Sequence, residues 1–179
     1  KFIFQHINDP ANVSLNNNWG LYKDRNGFLW MGGLEGLQMF DGFSTRIYKN
    51  LESDSTSISG NSISKIVQDN ITPGFWVGTV EALNYFDTRK GIFKKYYPGS
   101  ANGVATFIMP YCIDDSNKLW LFSGKKGGLF VFDTETEESR LVCISDEVMK
   151  FYPGKPKTKQ VFSLVVNKNG GLTKLDFDN

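Results

Sequence analysis

The stretch QDNITPGFWVGTVEALNYFD, from Gln68 to Asp87, contains the pattern that decides the fold. Three similar stretches occur elsewhere: KDRNGFLWMGGLEGLQMFD (residues 23–41), DDSNKLWLFSGKKGGLFVFD (114–133) and VFSLVVNKNGGLTKLD (161–176). Their leucines are separated by 46, 46 and 43 residues, at Leu37, Leu83, Leu129 and Leu172. A period near 45 residues with several short apolar segments per repeat is typical of the blades of a β-propeller.

Each repeat can be divided into four short strands joined by turns. An alternating apolar strand comes first, a polar turn follows, and the second strand carries a tryptophan. The third strand ends in aspartate, and the fourth has the alternating charge of a solvent-facing edge. The sequence therefore predicts an all-β fold with about four four-stranded antiparallel propeller blades. The expected blades span about residues 13–50, 58–98, 104–143 and 144–179, and residues 1–8 are expected to be an outer strand of a preceding or closing blade.

The fourth repeat departs most from the pattern. Ser163 stands where the other repeats have tryptophan. Its first strand must lie between Ile144 and Gln160, where Pro153 and Pro156 disfavour a central strand. We expect a distorted blade or a loop there.

Composition limits the possible functions. The chain has 179 residues, 20 basic and 19 acidic, so a net charge of +1 argues against a basic nucleic-acid groove. The two cysteines, Cys112 and Cys143, form no CxxC pair, and they are expected to be small strand residues or, alternatively, a disulfide. A single histidine, His6, supports neither a catalytic triad nor a metal cage. We expect no catalytic residue, no metal and no cofactor in this segment.

The repeats resemble the two-component regulator propeller repeat. The second repeat carries its pattern most fully, in Asn61, Gln68-Asp69, Phe75-Trp76-Val77-Gly78-Thr79 and Leu83-Asn84-Tyr85-Phe86-Asp87. The first has Asn16, Lys23-Asp24, the segment 28–32 and the segment 36–42. The third departs, with Thr106 for the asparagine and Ser123-Gly124 for Gly-Thr, and the fourth keeps only Gly171-Leu172 and Asp176.

The resemblance implies a biological context. Such repeats form the periplasmic sensor region of hybrid two-component histidine kinases of Bacteroidetes, whose parent protein is anchored in the inner membrane and regulates glycan-utilisation genes. The implied ligand is an oligosaccharide, and the implied neighbours are a further propeller and an immunoglobulin-like domain. The implied ring has seven blades, so the chain would be an open arc from the start of a longer protein. Its exposed blade faces would then favour a homo-oligomer, whereas a closed four-bladed ring is the alternative.

Repeated side chains are expected to serve the repeat. We predict that Asp24, Asp69 and Asp114 accept backbone hydrogen bonds that close the first hairpin of each unit. Asp41, Asp87 and Asp133 are expected to do the same after the third strand. The recurring tryptophans Trp30, Trp76 and Trp120 are expected to pack between blades rather than to stack on sugars.

Ligand contacts are expected on the propeller face that carries the loops between second and third strands and between successive units. The candidate residues on that face are Asn16, Asn17, Asn18, Trp19, Glu35, Asn61, Glu81, Lys125 and Lys126. An aromatic ring beside amide side chains resembles a sugar site, and the two lysines would suit an acidic glycan. The alternatives are a propeller glycosidase or lyase, which needs paired carboxylates facing a pocket, and an architectural protein-binding propeller.

Overall fold

The computed structural model of the chain describes residues 20–99, 107–123, 128–144, 150–153, 162–166 and 172–176, and all regular structure in these ranges is β-strand. Consecutive strands are hydrogen-bonded neighbours in four antiparallel sheets, three of which have four strands. The predicted all-β fold of four-stranded units is therefore confirmed. In these ranges no helix is long and apolar enough to cross a membrane.

We number the sheets as blades 1 to 4. Blade 1 contains β1 (Gly20–Lys23), β2 (Leu29–Gly32), β3 (Leu37–Phe40) and β4 (Thr45–Tyr48). Blade 2 contains β5 (Ile63–Gln68), β6 (Phe75–Thr79), β7 (Leu83–Asp87) and β8 (Ile92–Tyr96). Blade 3 contains β9 (Ile108–Ile113), β10 (Lys118–Ser123), β11 (Gly128–Asp133) and β12 (Ser139–Ile144). Blade 4 contains β13 (Lys150–Pro153), β14 (Phe162–Val166) and β15 (Leu172–Asp176).

The first strands of the blades lie next to one another. Strand β5 contacts β1 of the preceding blade and β9 of the following one, and β13 contacts β9. The first strand is therefore the inner strand of each blade. In blade 4 the first strand, β13, lies within the segment 144–160 in which the sequence predicts it. Pro153 is the last residue of β13, and β13 is at the edge of its sheet, where the missing backbone N–H of proline costs least.

Trp30 and Trp76 pack between blades, as predicted. The apolar neighbours described for Trp120 all belong to its own blade, so interblade packing of Trp120 stays a prediction. The Trp30 ring lies 4.6 Å from the Phe75 ring and 5.1 Å from the Phe86 ring, both in blade 2. The Trp76 ring lies 5.4 Å from Phe132 of blade 3 in an edge-to-face arrangement. Such pairs contribute about 1 kcal/mol each beyond the area that they bury. These aromatic clusters join blade 1 to blade 2 and blade 2 to blade 3.

The aspartates of the first hairpins accept backbone hydrogen bonds, as predicted. Oδ1 of Asp24 accepts the amides of Asn26 at 2.9 Å and Phe28 at 3.0 Å. Asp69 and Asp114 accept two amides each in the same way. The other carboxylate oxygen of each aspartate accepts the indole N–H of the tryptophan in its own blade, a contact that the sequence pattern did not predict.

The aspartates after the third strands also close their turns, as predicted. Oδ1 of Asp41, of Asp87 and of Asp133 each accepts the amides two and three residues further along the chain. These six aspartates are therefore parts of the turns.

The turns differ in which residue takes the left-handed conformation. In the Asn26-Gly27 turn only Gly27 has a positive φ, of 89°. The corresponding position of blade 3 is Asn117, with a φ of 58°. Asparagine tolerates this conformation better than most residues do, so the turn survives without glycine.

The two cysteines lie on opposite edges of blade 3. Cys112 is on inner strand β9 and Cys143 on outer strand β12, with β10 and β11 between them. Three strand spacings of about 4.8 Å exceed the reach of a disulfide. Cys112 is a free thiol, so the disulfide alternative is wrong. The outer strand predicted for residues 1–8 and the single histidine lie outside the described residues.

Candidate ligand-binding face

Antiparallel strands place alternate connections at opposite ends of a blade. One end carries the β2–β3 loop (33–36), the β6–β7 loop (80–82), the β4–β5 connection (49–62) and the described ends of the β8–β9 connection (97–99 and 107). We call this end the loop face. It is the face on which the sequence predicts ligand contacts.

Three of the nine predicted site residues can be placed. Glu35, Asn61 and Glu81 all lie on the loop face, in three different connections. The other predicted site residues lie outside the described residues: Asn16, Asn17, Asn18, Trp19, Lys125 and Lys126.

Asn61 ties the β2–β3 loop to the β4–β5 connection. Its backbone carbonyl accepts the amide of Gly36 at 2.8 Å, and its side-chain Oδ1 accepts the amide of Asn50 at 2.8 Å. The carboxylate of neighbouring Glu35 is exposed and pairs with Lys49 at 3.4 Å. The side-chain oxygen of Asn61 therefore stabilises the connection, although the residue itself is exposed at the surface.

Glu81 lies in a tight turn capped by a hydroxyl. Oγ1 of Thr79 accepts the amides of Glu81 at 3.1 Å and Ala82 at 3.0 Å. The Glu81 carboxylate rests on Gly60, so closely that a side-chain carbon at Gly60 would meet it. Its Oε2 is buried and has no hydrogen-bond partner among the described residues.

The three predicted residues thus form a row across two blades. Glu35 adjoins Gly36, which bonds Asn61, and Gly60 beside Asn61 contacts Glu81. Two carboxylates and an amide carry oxygen atoms that can accept hydrogen bonds from the O–H groups of a sugar. The chemistry of the row suits a polyhydroxylated ligand.

A buried polar network fixes this row from below. Asn84 on β7 accepts the Ser59 amide at 2.9 Å and donates to the Ser59 hydroxyl at 2.9 Å. Ser59 also bonds the Thr79 hydroxyl at 2.8 Å. Because Asn84 is fully buried, it holds the β4–β5 connection in one place above blade 2.

The loop face also carries exposed apolar side chains, which were not predicted from the sequence. They are Leu34, Leu51, Val80, Tyr97 and Phe107, all on the loop face. Tyr97 is 43% exposed. Tyr96 of blade 2 and Tyr48 of blade 1 occupy equivalent positions, since each pairs with the repeated leucine of its third strand. The residue that follows is Tyr97 in blade 2 and Lys49 in blade 1. An aromatic residue at a position where the first repeat has lysine is the sequence signal that could have identified Tyr97 as a candidate site residue. Apolar and aromatic surface beside a few polar groups is common in ligand sites.

Within the described ranges, no three histidine, cysteine, aspartate or glutamate side chains lie together in a way that could hold a metal ion.

Four-stranded antiparallel sheets with adjacent first strands define the class of the chain as a β-propeller segment. Its fold is similar to the extracellular domain assigned to a hybrid two-component system of Bacteroides thetaiotaomicron, with a TM-score of 0.59 and 18% identity over 94% of this chain and 31% of that one. A second extracellular domain from the same organism, assigned to a one-component system, gives 0.65 and 23% over 89% of this chain and 25% of that one.

Propeller enzymes share the fold as well. Virginiamycin B lyase of Staphylococcus aureus has a TM-score of 0.63 and 12% identity over 88% of this chain and 54% of the lyase. At these identities the likenesses establish the propeller fold alone.

Sequence comparison finds a short similarity to a kinase. A segment of 58 residues is 38% identical to histidine kinase P4 of Formosa agariphila, which covers 32% of this chain and 4% of the kinase. The chain therefore spans a small fraction of the length of this curated relative. No family model matches the chain.

Proposed function

We propose that this chain is a ligand-sensing propeller segment of an extracytoplasmic two-component sensor, and that its ligand is an oligosaccharide. The observation that carries the proposal is the fold likeness over 94% and 89% of the chain to extracellular domains of B. thetaiotaomicron signalling systems. The segment identical at 38% to a histidine kinase supports the same context from sequence.

The loop face supports a sugar as the ligand. Sugar rings combine hydroxyl groups with apolar faces, and the loop face combines the acceptors Glu35 and Glu81 with exposed Tyr97 and Phe107. In the proposal, Asn61 and the predicted residues Asn16, Asn17, Asn18, Trp19, Lys125 and Lys126 extend the same surface. Binding would shift the sensor between two arrangements by its difference in affinity for them.

The proposal includes the surroundings of the segment. We place it outside the cytoplasm, in a parent protein anchored in the inner membrane, beside a further propeller and an immunoglobulin-like domain. Exposed blade faces would supply contacts to these domains or to a second copy. The segment itself would bind its ligand without turning it over, while the kinase domain would lie elsewhere in the parent.

Isothermal titration calorimetry of the 179-residue chain against neutral and acidic oligosaccharides tests the proposal. We expect one class to bind, and Tyr97→Ala to weaken that binding about tenfold, because truncating an anchoring aromatic costs about 1.4 kcal/mol or more. Phe43→Ala is the matched control, since Phe43 is 95% exposed in the turn between β3 and β4 at the opposite end. Absence of any binding, or cleavage of the oligosaccharide during titration, would contradict the proposal.

A further inference from the structure

Lys65 is a half-buried lysine between two inner strands. It lies on β5 of blade 2 and reaches β9 of blade 3, where its Nζ donates to the Tyr111 carbonyl at 3.4 Å. The same Nζ lies 5.1 Å from the centre of the Tyr111 ring. The ring and the carbonyl therefore fix the position of the ammonium group.

This ammonium group has no acidic partner among the described residues. The ion pairs there involve four other lysines, namely Lys49, Lys90, Lys94 and Lys118. A lysine ammonium has three N–H donors, and the contacts described for Lys65 include one hydrogen bond. Partial burial of a cation without a counter-ion is unfavourable. Charged groups perturbed by burial cluster at functional sites.

The surroundings of Lys65 leave its charge uncompensated. Burial lowers the pKa of Lys65, in keeping with a cation removed from water. The Cys112 thiol, next to Tyr111 on β9, lies near Lys65, but burial together with Asp114 raises its pKa to about 11. The thiol is therefore neutral at neutral pH and supplies no negative charge.

Lys65 also breaks the repeat. On the inner strand of blade 2, Lys65 pairs with Gly78 of the second strand. The equivalent pair in blade 1 is Gly20 with Gly32, so glycine occupies the position of Lys65 there. In blade 3 the corresponding residue is Met109, opposite Phe122. The fold therefore does not require a cation at this position, and among these three blades the lysine occurs in blade 2.

We propose that Lys65, held by Tyr111, binds an oxyanion of the ligand, a carboxylate or a sulfate group carried by an acidic oligosaccharide. This inference rests on the proposed function and specifies its ligand class. The N–H groups of Lys65 that point away from the Tyr111 carbonyl would donate to the oxyanion, and the pair of opposite charges would remove the cost of the isolated ammonium.

Calorimetry with the 179-residue chain tests the inference with four probes. They are an oligogalacturonate, a sulfated oligosaccharide, a neutral oligosaccharide of equal length and inorganic sulfate. We expect one of the acidic oligosaccharides to bind more tightly than the neutral one, and Lys65→Met to weaken it by about 10-fold to 100-fold, because a hydrogen bond to a charged group contributes about 1.5–3 kcal/mol. The oligogalacturonate and sulfated probes distinguish carboxylate from sulfate.

Two controls separate the possible failures. Lys90→Met removes the same charge in the exposed turn between β7 and β8 and should leave the affinity unchanged. In the unchanged chain, NMR of the Lys65 side chain should show that its pKa rises when the acidic probe binds. This measurement does not depend on whether a variant folds. Tight binding of the neutral oligosaccharide alone, or equal binding of the acidic one to Lys65→Met, would overturn the inference and leave the proposed function standing. Failure of every oligosaccharide to bind would overturn both.

Discussion

The indole Nε1–H of Trp76 donates to Oδ2 of Asp69 at 2.9 Å, so that a turn residue and a core residue of one blade share a buried hydrogen bond. The same bond joins Trp30 to Asp24 at 2.9 Å and Trp120 to Asp114 at 2.8 Å. Each aspartate thus binds its turn with one oxygen and the tryptophan of its own blade with the other. Turn closure and blade packing depend on the same carboxylate.

Replacing this carboxylate should destabilise the fold strongly. Asp69→Ala leaves the indole N–H and two backbone amides without their acceptor at a position that is 4% exposed. Because each buried donor left unsatisfied costs about 1–3 kcal/mol, we expect a loss of about 3 kcal/mol in the free energy of unfolding. Urea denaturation measures it. Asp54→Ala, which removes an exposed turn cap on Thr56, should cost much less, and equal losses in both variants would contradict the shared-carboxylate account.

The sequence was sufficient to predict the repeat, the strand order and the turn aspartates. These features depend on residues close together in the chain, such as Asp24 and the two amides that follow it, and they recur at each repeat. The bond from Trp30 to Asp24 was missed because it depends on how the ring is oriented between two blades. Tyr97 and Lys65 were missed for a related reason, since their exposure and their contacts are set by neighbouring strands.

Glu137 should respond unusually to substitution because its backbone is left-handed, with a φ of 62°. Gly91 holds the equivalent turn position in blade 2, with a φ of 69°. Glu137→Gly and Glu137→Ala both remove the carboxylate that bonds Lys94 and Tyr96 of blade 2. We expect the glycine variant to be more stable than the alanine variant by about 1 kcal/mol, since only alanine keeps the strain. Thermal denaturation compares them, and a more stable alanine variant would refute the role of the turn.

The contact between Lys118 and Asp133 should make the free energy of unfolding depend on pH in the acidic range. The Lys118 hydrogen bond, with the backbone amides of Glu135 and Thr136, lowers the pKa of Asp133 from 3.8 to about 2. A carboxyl with a lowered folded-state pKa stabilises the fold above the unfolded value, and this contribution disappears as the pH falls from about 4 to about 2. We expect the urea midpoint of the unchanged chain to fall more steeply over this range than that of Asp133→Asn. Parallel curves would contradict the prediction.

The Glu81 side chain should be the reason why a residue larger than glycine at position 60 destabilises the fold. Gly60 does not have a positive φ, so its backbone would accept alanine, but the added methyl group would meet the Glu81 carboxylate. Because those atoms are the end of a flexible side chain whose Oε2 has no hydrogen-bond partner among the described residues, the carboxylate can move aside. We therefore expect Gly60→Ala to lower the free energy of unfolding by up to about 1 kcal/mol, less than overpacking against a rigid core costs. Glu81→Ala should remove most of that penalty in the double variant, because the methyl group then occupies vacated space. A double-mutant cycle by urea denaturation measures the coupling, and additive effects would show that Gly60 is needed for another reason.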